Sequence, residues 1–157
     1  MLGKYLLVLV ISMVPLIELR GAIPVALGMG MDTLTAYVIC VIGNMIPVPF
    51  VYFFARKVLQ WGADKKYIGK FFTFCLEKGD RAGQKLVAAT GRGGLFLALL
   101  LFVGIPLPGT GAWTGTLAAS FLNMGIRSTT VAVCLGVILA GIIMGVASML
   151  GLHIFGL

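Results

Sequence analysis

Pro15-Leu16-Ile17-Glu18-Leu19-Arg20-Gly21-Ala22-Ile23-Pro24 sets two prolines, a glycine and two opposite charges at the centre of an apolar block, residues 5–31. A membrane span takes about 20 apolar residues at a helical rise of about 1.5 Å each, so the block is long enough to cross a bilayer. Its centre is not that of a plain span. Proline removes a backbone donor and clashes with the preceding turn, so Pro15, Gly21 and Pro24 predict a break in the middle of the block. An ionised group at the bilayer centre costs about 2.5–3.5 kcal/mol even on the lenient insertion scale. Glu18 and Arg20 therefore need compensation. Residues two apart on a helix point away from each other, so each charge is expected to seek a partner other than its neighbour.

The same design recurs in residues 95–124. There an apolar run leads into Gly104-Ile105-Pro106-Leu107-Pro108-Gly109-Thr110-Gly111-Ala112-Trp113-Thr114-Gly115 before apolar residues resume. Two uninterrupted blocks, residues 34–55 and 129–152, follow the broken ones after short polar hinges. Asp32-Thr33 and Ser128-Thr129 at those hinges have N-cap chemistry. The architecture thus repeats: broken block, cap, span, basic loop, broken block, cap, span. Duplicated halves with interrupted segments point to transporters, whose sites form where discontinuous helices meet.

These patterns predict an all-α integral membrane protein forming a single membrane domain over residues 1–157. Its parts are re-entrant hairpin 1 (5–31), a transmembrane helix (33–56), a basic cytoplasmic amphipathic loop (57–92), re-entrant hairpin 2 (94–124) and a transmembrane helix (128–152). Two topologies fit. If the broken blocks cross fully, the halves run parallel. If they are re-entrant hairpins, the halves are inverted, and arms of about ten residues, or roughly 15 Å, meet at the midplane. The inverted arrangement is favoured because it places Arg127 with the basic loop and Asp32 opposite, although Lys4 argues the other way.

Composition leaves little room for a soluble fold: 60% of the 157 residues are hydrophobic and 11% charged, against roughly a quarter charged in globular domains. The net charge of +7 raises nucleic-acid binding, but nine of the twelve Lys and Arg residues fall between Arg56 and Arg92. Basic residues crowded into a loop between spans mark the cytoplasmic side of a membrane and attract anionic headgroups, so no nucleic-acid partner is expected. Within that loop Ile68, Phe71, Phe72, Cys75 and Leu76 form a helical stripe suited to the headgroup layer or to packing on the membrane domain. Gly79 is expected to end this helix, and Gly91-Arg92-Gly93-Gly94 to hinge the chain back.

Several side chains suggest chemistry. Desolvated Glu18 is suited to taking up and releasing a proton, and the planar fork of Arg20 to holding an anionic group such as phosphate. Pro106, Pro108, Gly109 and Gly111 free backbone groups and allow close approach, while Thr110 and Thr114 add hydroxyls. Trp113 fits either an apolar substrate or ordinary packing with its indole bonded to a carbonyl. Asn44, amid the second block, fits structural bonding and substrate contact equally. Gly141-xxx-Gly145 suits close helix contact within the chain or in a homodimer. Cys40, Cys75 and Cys134 read as packing residues, and His153 as an interface residue. No metal site, cofactor or catalytic constellation assembles, so an enzyme is not expected. The first block reads as retained rather than as a cleaved signal, since charges follow its apolar run.

Three stretches together, Pro15–Pro24, Gly43-Asn44-Met45-Ile46-Pro47-Val48-Pro49 and Gly104–Gly115, resemble the putative small multi-drug export protein family over nearly the whole chain. That family is similar to the DedA superfamily, with its SNARE-associated Golgi and VTT-type lipid scramblases. The resemblance implies facing re-entrant hairpins in inverted halves, with an acidic and a basic tip residue that Glu18 and Arg20 match. It also implies either proton-dependent drug tolerance or flipping of undecaprenyl phosphate. The chain departs from the larger relatives at its second tip, Pro106–Gly115, which carries no charge.

The sequence therefore predicts a small multi-pass transporter in the inner (plasma) membrane of a prokaryote. Proton-linked export of small amphipathic compounds through a midplane site is the first reading, with membrane lipids as surroundings. A lipid-phosphate flippase or scramblase is the second, and a non-transport membrane scaffold the third.

Overall fold

A computed structural model describes residues 2–15, 17–107 and 109–154, with side chains described as far as residue 151. Pro108, expected as a breaker, and the side chain of His153 lie outside the described residues. Seven helices follow in order: α1 (Leu2–Met13), α2 (Glu18–Gly28), α3 (Thr33–Met45), α4 (Pro47–Ala63), α5 (Gly69–Gly104), α6 (Ala112–Phe121) and α7 (Ile126–Ile154). No strand occurs among the described residues.

Three helical stretches are long and apolar enough to cross a membrane: Thr33–Ala63, Gly69–Gly104 and Ile126–Gly151. The first joins α3 and α4 through Ile46, whose N–H still bonds the Ile42 carbonyl. The second is sharply bent at Gly91, where φ of +72° suits a residue without Cβ. Its apolar part begins at Leu95. A fourth, shorter apolar helix is α1, whose 12 residues span about 18 Å.

The first broken block folds back on itself. Lys4 Nζ, at the start of α1, donates to the Met29 carbonyl beyond the end of α2 at 3.0 Å, so the two ends of the hairpin lie together. The break falls between Met13, the end of α1, and Glu18, the start of α2, earlier than expected. Gly21 and Pro24, read as breakers, lie inside α2. Helical bonding tolerates Pro24 because only one donor is lost, leaving the Arg20 carbonyl without its helical partner. The second block turns between Gly104 and Ala112, as its proline and glycine cluster suggested.

Caps differ between the halves. Asp32 accepts from the Thr35 N–H at 3.1 Å and starts α3. Ser128 and Thr129 do not cap α7, which begins two residues earlier and encloses them; the Thr129 N–H bonds the Gly125 carbonyl. Gly79 does not end the basic helix either. It and Gly83 instead let α5 pass against the carbonyls of Phe121 and Leu122, where a Cβ would collide. The amphipathic stripe divides accordingly: Phe72 packs over Gly62, while Ile68 and Phe71 face outward.

Small residues fill the helix contacts, as association in lipid favours. Ala22, Ala26, Ala36, Cys40, Ala119, Ala132 and Ala140 are buried, with Val133 and Val137 on α7. Gly136 lies on Val103 and the Leu100 carbonyl, and Gly141 on Tyr37 and Leu19 within the chain, whereas Gly145 faces open space. All three cysteines are free. Gly43 is the tightest seat, because a Cβ there would meet Ser12 and the Leu9 carbonyl. Gly43→Val should destabilise the protein by about 1–3 kcal/mol through overpacking, whereas Gly145→Val should leave stability unchanged. Thermal unfolding in detergent distinguishes the two.

Candidate functional site

The two turns meet head-on, and their contact is built from opposite charges and helix ends. Helix α6 starts at Ala112 with no side-chain cap of its own, because Gly111 supplies none. Its first amides are orphans of helix geometry. Glu18, 94 residues earlier in the chain, takes their place as acceptor: its Oε2 accepts from the Ala112 N–H at 3.3 Å and its Oε1 from the Trp113 N–H at 3.1 Å. An anion at a helix N-terminus also opposes the positive end of the macrodipole. Glu18 is 4% exposed and Ala112 1%, so the Ala112 bond is buried, while the Trp113 bond is partly buried.

Arg20 binds the loop of the same turn. Helix α5 finishes at Gly104, and the Leu107 carbonyl, three residues beyond it, already accepts from the Thr110 N–H at 3.2 Å. Arg20 Nη1 donates to the Leu107 carbonyl, and Nη2 to Thr110 Oγ1 at 3.1 Å. The Thr110 hydroxyl lies 2.8 Å from the Ile105 carbonyl and 2.9 Å from that of Leu107, which ties the turn together. Glu18 and Arg20 form no ion pair with each other among the described residues. Their spacing of two gives each a separate partner.

Backbone conformation permits this fit. Glu18 has φ of +50°, an uncommon and costly conformation for a side chain of its size. Gly111 has φ of +153°, and a Cβ on it would occupy the space of the Glu18 carboxylate. The glycine is what lets the carboxylate reach two amides at once.

The remaining predicted residues divide. Trp113 belongs to the contact, its indole Nε1 donating to the Met13 carbonyl at 3.1 Å, which is the packing alternative raised by the sequence. Thr114 makes a long bond to the Gly111 carbonyl within its own turn, 3.4 Å. Asn44 follows Gly43, which rests on Ser12, so it lies near the depth of the tips. It is fully buried, and neither amide atom has a partner among the described residues. Thr116, one turn into α6, is in the same state. Gly109 turns the loop at φ of +83°, and Pro106 is half-buried beside it.

Sequence reading missed the receiving groups, since the Leu107 and Met13 carbonyls and the Ala112 and Trp113 amides carry no side-chain signature. It also missed Tyr52, buried on α4, whose hydroxyl donates to the Met124 carbonyl while its own carbonyl accepts from Ser120 Oγ at 3.4 Å. The spacing of eight between Asn44 and Tyr52 on one buried stripe was the available signal.

The family model described as putative small multi-drug export protein matches residues 18–143. The chain belongs to that family. The match opens at Glu18 itself and takes in the second turn, so the contacts of Glu18 and Arg20 lie within the matched residues, whereas Met13 precedes them. Three helices suited to crossing a membrane agree with an export protein. No curated protein and no solved structure matches the chain.

Removing the carboxylate leaves two buried amides unpaired. Glu18→Ala should therefore cost about 2–5 kcal/mol, and Glu18→Gln less, because its amide oxygen still accepts. Gly111→Ala should weaken the contact as Glu18→Ala does. Denaturant titration in mixed micelles gives the order.

Proposed function

We propose that this protein is a proton-linked exporter of small amphipathic compounds, and that the bond from Glu18 to the start of α6 is its gate. The carrying observation is the buried carboxylate held by the Ala112 and Trp113 amides across the two turns. An ionised carboxylate is a strong acceptor for those donors. Protonation removes its charge and turns one oxygen into a donor, so the grip on the helix end weakens and the turns can part. A proton taken up at Glu18 thus opens a path at the depth where Asn44, Thr110, Trp113 and Thr114 supply polar and aromatic contacts. Release of the proton restores the bond and closes it.

In this reading α1–α2 and the apolar part of α5 with α6 are re-entrant hairpins in inverted halves, entering from opposite faces of a prokaryotic inner membrane. The Lys4 bond to Met29 supports a hairpin whose two ends share one face. The basic segment 57–92 faces the cytoplasm, as positive charge between spans requires. The likeness of this arrangement to the DedA superfamily belongs to the same proposal.

A second reading rests on Arg20, which is only half-buried and whose fork holds a carbonyl and a hydroxyl. A phosphate oxygen is a better acceptor than either and would displace them, as a lipid-phosphate translocase requires.

Reconstituted vesicles separate the two. For the exporter, Glu18→Gln should lose pH-gradient-driven efflux of a fluorescent amphipathic cation, at pH values where the parent protein is active. Full efflux by Glu18→Gln overturns proton coupling at this residue. For the translocase, lipid-phosphate movement should proceed without a gradient and vanish in Arg20→Ala.

A further inference from the structure

Apart from the tips, a cleft of about 710 Å³ opens at the other end of the second hairpin, between the basic part of α5 and the turn joining α6 to α7. Arg92 and Arg127 line it from opposite elements, together with Asp80, Gln84, Asn123 and Ser128. Neither arginine has a carboxylate within ion-pairing distance among the described residues, where the pair found is Arg81 with Glu77. Apolar residues, among them Val87, Leu95 and Met124, form part of the same lining. The cleft thus has two cations and a greasy wall.

Its walls are fixed rather than pliant. Asn123 has φ of +56°, a left-handed conformation that asparagine tolerates at a helix end. The Met124 N–H bonds the Ala119 carbonyl at 3.0 Å, and the Met124 carbonyl accepts from buried Tyr52. On the facing side, α5 is seated against Phe121 and Leu122 through Gly79 and Gly83. The turn that leads into α7, and so to Arg127, is therefore held from both sides.

We propose that this cleft binds the phosphate of an anionic phospholipid, with the acyl chains lying along the apolar wall. The forks of Arg92 and Arg127 match phosphate oxygens. Asp80, elsewhere on the same lining, adds an acceptor that favours a headgroup carrying a hydroxyl or amine donor over one that carries none. Basic pockets between membrane helices have this chemistry. The site does not depend on the exporter reading and is tested without transport.

The full chain is reconstituted in phosphatidylcholine nanodiscs containing a minor share of phosphatidylglycerol, extracted into detergent, and its retained lipid counted by native mass spectrometry. Phosphatidylglycerol should be retained over phosphatidylcholine. Arg92→Gln with Arg127→Gln should lower that retention at least about tenfold, both residues being exposed and so dispensable for folding. Lys66→Gln with Lys70→Gln removes the same charge outside the cleft and should leave retention intact. Inorganic phosphate that displaces the lipid from the parent protein supports the assigned phosphate chemistry. Phosphate that binds the parent protein, and not the arginine variant, with no lipid retained assigns the cleft to the free anion and overturns the lipid. Unchanged retention in the arginine variant, or equal loss in the lysine variant, overturns the site.

Discussion

Two opposite charges on one turn hold separate parts of another. Glu18 occupies the position of a missing cap at the start of α6, and Arg20 donates to the Leu107 carbonyl and the Thr110 hydroxyl in the loop before it. Each interaction would be modest in water. Away from water the alternative is an unpaired charge facing unpaired backbone, which is costly on both sides. The packing of α1, α2, α5 and α6 depends on this exchange. So does the conformation of Glu18, whose positive φ persists because the surrounding contacts hold it.

The exchange also explains the uncharged second turn. A pair of ionisable residues there is unnecessary, because the start of α6 and the polar groups of the loop already receive Glu18 and Arg20. The proline and glycine cluster from Gly104 to Gly115 supplies those groups, and Gly111 supplies the clearance. A second pair of charges is replaced by backbone.

Much of this was legible in the sequence. Hydropathy marked the apolar blocks, and the spacing of Glu18 and Arg20 argued for separate partners. The partners themselves were not legible, since backbone amides and carbonyls belong to every residue and only the fold selects among them. Gly21 and Pro24 misled because a proline within a helix forfeits a single bond, which a helix can bear. Gly79 misled for another reason. A glycine in a helical pattern marks either an end or a close approach, and only the presence of Phe121 alongside decides which. Tyr52 was hidden because its aromatic ring suits any buried stripe.

The bonds that join the turns span 87 to 100 residues of chain. During synthesis the first hairpin emerges well before the second exists, so a nascent chain carries Glu18 and Arg20 with nothing to receive them. Placing that segment deep in lipid at this stage exacts the full cost of two bare charges. Under the proposed re-entrant arrangement, the economical order keeps the early hairpin shallow, at the headgroups, until the later one arrives to draw it inward. On that arrangement, assembly is a late docking of halves rather than a stepwise threading of helices.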